Sequence, residues 1–162
     1  SNSVDAQAIY ESSMSLWATV MSHANLVNHA AGWLESGLTA SFEKLIIDAE
    51  MLQIISESLK PIEINAENLG VETIKSVGPG GHFFATDQTM SSYATEFYTP
   101  MISDWSNFEN WEKNGSITTI ERANKAWKTL LKEYKQPKLD PSVNEALIEF
   151  VEKRKEEISN SN

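Results

Sequence analysis

The chain of 162 residues contains no cysteine. A disulfide framework, a thiol nucleophile and thiolate-held zinc or iron–sulfur centres are therefore excluded. Basic side chains are in the minority, with 13 Lys and Arg against 23 Asp and Glu and a formal net charge of −10. A surface of that sign repels phosphate, which argues against a nucleic-acid partner. No apolar run approaches the ~20 residues that cross a bilayer, and no secretory signal pattern is written in the text. A soluble, cytoplasmic protein without a membrane partner is the expectation. The three histidines, His23, His29 and His82, include no two at metal-ligand spacing, so no metal site is expected. What is present suffices for a packed core: 41% of residues are hydrophobic, in a length that suits one ordinary domain.

The text enters a helical pattern almost at once and lacks an initiator Met, the look of a chain cut from something longer. Asp5 caps a first predicted helix reaching about His23, with Ile9, Trp17 and Val20 near one face. Leu26 and Val27, inside the small-residue stretch 24–31, predict one short buried strand and hence an α/β layout. Thr39 or Ser41 then caps a helix running to about Lys60. Its apolar positions Phe42, Leu45, Ile46, Ala49, Leu52, Ile55 and Leu59, broadened by Ile47, Met51 and Ile54, predict more than one packing neighbour. Pro61 ends it, and Ile62 and Ile64 give a weak strand or linker signal. Further helices are predicted from Ala66 to about Ser76 and from Thr86 to near Pro100. A compact helical turn carrying Trp105, Phe108 and Trp111 comes next. Thr118 and Glu121 form a capping box for a helix closed by Pro137, and Asp140-Pro141 opens the last one. Residues 1–137 read as one body and residues 138–162 as a C-terminal helix with a polar tail. Residues 118–137 are a basic island, with five basic and two acidic side chains. Lys125, Lys128 and Lys132 share one helix face, either a solvated face or a dock for an acidic partner.

Four places could carry chemistry. Gly78-Pro79-Gly80-Gly81-His82-Phe83 combines a backbone that a ligand can approach closely with a titratable imidazole. No Lys-Ser/Thr follows, and the glycine spacing is wrong for a dinucleotide fingerprint. It is either a tight helix–helix turn or a ligand-facing loop. Asp5 and Gln7 stand at a helix start and either cap it or orient a ligand. His29, Trp33 and Glu35 follow the predicted strand, where α/β folds bind ligands; a core histidine and a packing tryptophan are the simpler reading. Five Trp, four Tyr and six Phe could build a cation–π cage, although Trp105, Phe108 and Trp111 suit packing. No Gly-x-Ser-x-Gly elbow is present.

At these motifs the chain resembles the trimethylamine methyltransferase family of MttB-like corrinoid methyltransferases, in its C-terminal part. Ser3-Val4-Asp5-Ala6-Gln7-Ala8, then His29-Ala30-Ala31-Gly32-Trp33-Leu34-Glu35-Ser36-Gly37-Leu38 with Glu43, stand in family order. Val77-Gly78-Pro79-Gly80-Gly81-His82-Phe83 and then Pro100, Asp104, Trp111, Gly115 and Arg122-Ala123 complete the match. The resemblance implies an α/β fold. This chain would be the C-terminal part of a (β/α)8 TIM barrel, helix-rich and ending in C-terminal helices. A whole barrel takes ~250 residues, so its N-terminal majority would lie outside this sequence. It further implies transfer of a methyl group from trimethylamine, or a quaternary amine such as glycine betaine, to a cognate corrinoid protein. The cobalamin belongs to that partner, so no cofactor is bound directly. Asp5 and His82 become the candidate catalytic residues. Gln7, His29, Trp33, Gly80, Gly81 and Phe83 become candidate substrate-binding residues. Two rivals stand beside this reading: a non-catalytic helical assembly module, in which homo-oligomers cover the apolar faces left by the missing barrel, and a quaternary-amine binding protein without turnover.

Overall fold

In the computed structural model, which describes residues 1–160, almost all regular structure is helical. Helix α1 (Ala6–Met21) starts where Asp5 accepts the Ala8 N–H at 3.0 Å. Strands β1 (Trp33–Leu34) and β2 (Thr39–Ala40) pair antiparallel, Trp33 opposite Ala40, around a 3-10 turn at Glu35–Gly37. Helix α2 (Phe42–Ser58) is capped by Ser41, whose hydroxyl accepts the Lys44 N–H. Short helices α3 (Val71–Val77), α4 (Asp87–Ser92) and α5 (Phe108–Lys113) follow. Helix α6 (Thr119–Glu133) opens on the expected box, in which Thr118 N–H donates to Glu121 Oε2 at 2.7 Å and Thr118 Oγ1 accepts the Glu121 N–H at 3.4 Å. Helix α7 (Pro141–Ser159) begins with Pro behind an Asp140 cap.

The expected strand over 24–31 does not form. The stretch is turn and bend, Leu26 is 78% exposed, and His23 and His29 take left-handed backbone conformations. A strand needs a partner for its N–H and C=O groups, and the sheet here is a hairpin of two two-residue strands further on. The described chain is thus helix-rich with very little sheet. Three other expectations shorten. The 66–76 helix starts at Val71, behind a left-handed Gly70; the one begun at Thr86 ends at Ser92; and Trp105 lies outside α5, which starts at Phe108.

The chain divides into two compact units, residues 1–129 and a second that begins at Leu130 inside α6. In the first, α1 packs on α2, and Ile46, Ile47, Ile102 and Ala123 form a small core with Val4, Ile9, Ala126 and Trp127 against it. Not all of the predicted apolar stripe of α2 is inside: Phe42, Leu45 and Leu59 are exposed, whereas Lys44, Asp48 and Glu50 are buried. In the second unit, α7 carries exposed Val143, Leu147, Phe150 and Val151, and a Lys155–Glu152 ion pair at 2.8 Å. Among the described residues no helix is long and apolar enough to cross a membrane.

Candidate functional site

The N-terminal motifs meet where α1, the hairpin and α2 converge. Asp5 is fully engaged as a cap: Oδ1 accepts from Ala8 N–H and from Ser1 Oγ, and Oδ2 accepts from Ser3 Oγ at 2.7 Å. The Ser3 hydroxyl and then the Ala8 N–H hold its carboxyl below the usual carboxylate range, since both bonds favour the charged form. Gln7, one turn into α1, donates to Glu11 Oε1 at 2.7 Å. Ser1 links this start to the hairpin, because its carbonyl accepts the Glu35 N–H at 3.0 Å. Asp5 also borders a cavity of about 810 Å³ between α1, α2 and the start of α6, with Ile9, Tyr10, Met51, Ile54 and Ile120 around it.

His29 and Trp33 meet edge to face, with ring centroids 5.4 Å apart and planes at 78°. Both are exposed, so neither is the core residue that the simpler reading expected. Between them Gly32 is buried at φ +85°, and a Cβ there would come within 3.2 Å of Leu45 Cβ, so the turn lies directly on α2. A left-handed, tightly packed position of this kind suits glycine alone.

The glycine loop is a separate place. Gly78 ends α3 at φ +67°, Gly80 has φ +76°, and a Cβ on Gly81 would lie 2.6 Å from the Val77 carbonyl oxygen. The loop is therefore a turn that needs its glycines, and it also presents exposed side chains. His82 and Phe84 have ring centroids 5.6 Å apart. Phe83 borders a groove of about 870 Å³ together with Tyr93, Phe97, Glu63 and Glu96. Aromatic faces beside carboxylates form the kind of surface that attracts a bulky cation. Among the described residues no hydrogen bond or ring contact joins this loop to Asp5 or to the His29–Trp33 pair.

Sequence reasoning missed the buried polar groups of α2. Lys44 Nζ contacts both Asp48 oxygens at 2.6 Å and Ser12 Oγ at 2.7 Å, with Lys44 and Asp48 each 1% exposed. Glu50 accepts the N–H groups of Ile102 and Ser103 and the Ser103 hydroxyl. Glu43, part-buried and already part of the family match, accepts from Asn124 Nδ2 at 2.6 Å and from Trp127 Nε1 at 2.8 Å. Those two donors, Asn124 foremost, lower its carboxyl to about 2. The available signal was Lys44 and Asp48, four residues apart, inside an otherwise apolar helix. Among the described residues no group of His, Asp and Glu is arranged to hold a metal ion.

The chain as a whole matches known proteins. The family model described as trimethylamine methyltransferase (MTTB) matches residues 1–159. The chain belongs to the trimethylamine methyltransferase family. It is 37% identical over 158 residues to a glycine betaine methyltransferase of Desulfitobacterium hafniense strain Y51, covering 98% of this chain and 33% of that protein. It is 31% identical over 153 residues to the trimethylamine methyltransferase MttB of Desulfitobacterium hafniense strain DSM 10664 / DCB-2, covering 94% of this chain and 30% of the relative. To MttB2 of Methanosarcina mazei it is 31% identical over 151 residues, covering 92% and 30%. The chain thus spans about a third of the length of the curated relatives it matches.

Proposed function

We propose that this chain supplies the C-terminal part of an enzyme that moves a methyl group from a methylated amine, trimethylamine or a quaternary amine such as glycine betaine, to a cognate corrinoid protein. The observation that carries the reading is the family match over residues 1–159, with 37% identity to a glycine betaine methyltransferase. In this reading the chain completes a (β/α)8 barrel whose other strands lie outside it, and it works in the cytoplasm. In the same reading, residues 1–137 form the barrel part and residues 138–162 a C-terminal helix with a polar tail.

In this reading a cobalamin carried by the partner would supply the nucleophile, and no residue of this chain would be required to ligate it. The carbon–nitrogen bond breaks, and the nitrogen leaves with the bonding pair as a neutral amine. What the protein must do is hold a cation with one methyl group aimed outward and keep water away. Exposed aromatic rings and carboxylates suit that task. Trp33, oriented by His29, and Phe83, with Glu63 and Glu96 in its groove, are the two separate aromatic places that could face the ammonium group. Gly80 and Gly81 shape the loop that brings His82 to the substrate, and His82 would hydrogen-bond the substrate and hold it in line for displacement, a step that needs no proton transfer because the nitrogen leaves as a neutral amine. Asp5 and Gln7 would act from the start of α1, Asp5 as a fixed negative charge. The apolar cavity beside α1 would be covered by the rest of the barrel or by a second copy.

The test is His82→Ala in the full-length enzyme, assayed for demethylation of glycine betaine and trimethylamine with the corrinoid protein present. Loss of at least about 100-fold in kcat, with the circular dichroism spectrum retained, is expected for a group that positions the reacting methyl group. Unchanged turnover removes His82 from the site.

A further inference from the structure

The His29–Trp33 turn has little secondary structure of its own, yet its centre is fixed on both sides. The Gly32 carbonyl accepts the Ser41 N–H at 2.9 Å, and the Gly32 N–H donates to Asp48 Oδ2 at 2.9 Å. Asp48 is in turn gripped by Lys44, and Lys44 by Ser12 of α1. A buried ion pair is a poor device for stability alone, because desolvation of both charges offsets most of their attraction and an apolar pair of the same size often does as well. The feature it does explain is Gly32. That buried N–H points into α2 and needs an acceptor, and a carboxylate is the strongest one available. Lys44 then neutralises the charge that Asp48 brings inside. His29 sits at φ +56°, a conformation that a residue with a Cβ keeps only when its surroundings impose it.

We infer that Asp48 is a positioning residue, whose bond to the Gly32 N–H, locked by Lys44 and Ser12, sets the edge-to-face His29–Trp33 pair against which the amine is held. The part that concerns the amine rests on the function proposed above; the part that concerns the pair does not.

Two double variants separate the hydrogen bond from the charges. Lys44→Met with Asp48→Asn discharges the cluster but keeps an oxygen acceptor for Gly32. Lys44→Met with Asp48→Leu discharges it and removes the acceptor. The first readout is the ring-proton shifts of His29 in this chain labelled with ¹³C-histidine, assigned with His23→Gln and His82→Gln. The second is KM and kcat for glycine betaine in the full-length enzyme. The expected result is wild-type His29 shifts in the Asn form and displaced shifts in the Leu form. In the Leu form KM should rise about tenfold with kcat within about twofold, since a holding surface that grips substrate and transition state alike raises KM alone when lost. Identical His29 shifts in both forms overturn the proposal. Displaced shifts with unchanged KM leave Asp48 as the positioning residue of the pair and count against the amine reading instead. Gly32 amide hydrogen exchange in the unmodified chain serves if the Leu form fails to fold. Protection equal to mid-α2 amides is expected, and exchange as fast as at Leu26 overturns the proposal.

Discussion

Two stretches of the first unit are built on different terms. The α1–hairpin–α2 region holds its shape through buried polar bonds between distant residues: Ser12 to Lys44, Gly32 to Asp48, Glu50 to the backbone of Ile102 and Ser103. The stretch 60–100 has no buried residue at all, and Ile62, Ile64 and Phe84 are 89%, 82% and 80% exposed. Both carry family motifs. The difference teaches that the His29–Trp33 end of the candidate site is fixed by this chain's own interior, whereas the Gly80–His82 end is shaped only by its local turn. Any further restraint on it would have to come from outside this chain's own interior.

The comparison breaks most readily at Lys44. Lys44→Ala leaves the Asp48 carboxylate buried with its cation gone, and such a change is expected to cost about 3–5 kcal/mol of unfolding free energy in urea titration. A cost below about 1 kcal/mol would show that the pair is wet, and that the two stretches differ less than described.

Glu43 sharpens the same contrast through pH. Its folded value lies at about 2 against an ordinary 4.5, because Asn124 and Trp127 donate to the charged form. A depressed carboxylate contributes stability that is complete above its unfolded value and is lost as pH falls through the folded one. Partial exposure of the side chain limits the stake to about 2 kcal/mol, disappearing between about pH 5 and pH 2. Glu43→Gln keeps an oxygen for both donors and cannot ionise. Unfolding measured from pH 7 to pH 2.5 should therefore fall less steeply for the variant than for the parent. Parallel curves would show that Glu43 does not carry the acid sensitivity.

How much of this could be read from the sequence follows from the range of the interactions. The caps at Asp5, Thr118 with Glu121, and Asp140 were legible because each is settled within three residues of chain, and for α2 the sequence offered Thr39 or Ser41, of which Ser41 is the cap. Gly80 and Gly81 were legible as a turn for the same reason, and the family motifs placed both in a candidate site. The strand over 24–31 was misread because Leu26 and Val27 have the right side chains but no neighbouring strand, a fact no local pattern contains. Lys44 and Asp48 were passed over because their partners, Ser12 and Gly32, lie on other elements. A charged pair on an apolar helix looks like an interruption of the stripe until its tertiary contacts are known. His29 and Trp33 were grouped as one place beside a predicted strand, but their ring contact was not foreseen, because the turn that brings them together rests on α2 and not on a strand end.

The smallest expected effect tests the other side of the comparison. Phe84 is a large apolar residue in the glycine loop and would normally mark a core position, where truncation costs about 3–5 kcal/mol. Here it is 80% exposed, touching the His82 ring and little else that could hold the loop. Phe84→Ser in this chain should change unfolding free energy by no more than about 0.5 kcal/mol. In a longer polypeptide that carries this chain, the same substitution would cost several times more if the added part covers Phe84. Matching costs in the two settings would mean that the loop faces solvent or a partner in both. A large cost already in this chain would show that the stretch 60–100 has a core of its own, and the distinction between its two kinds of structure would fail.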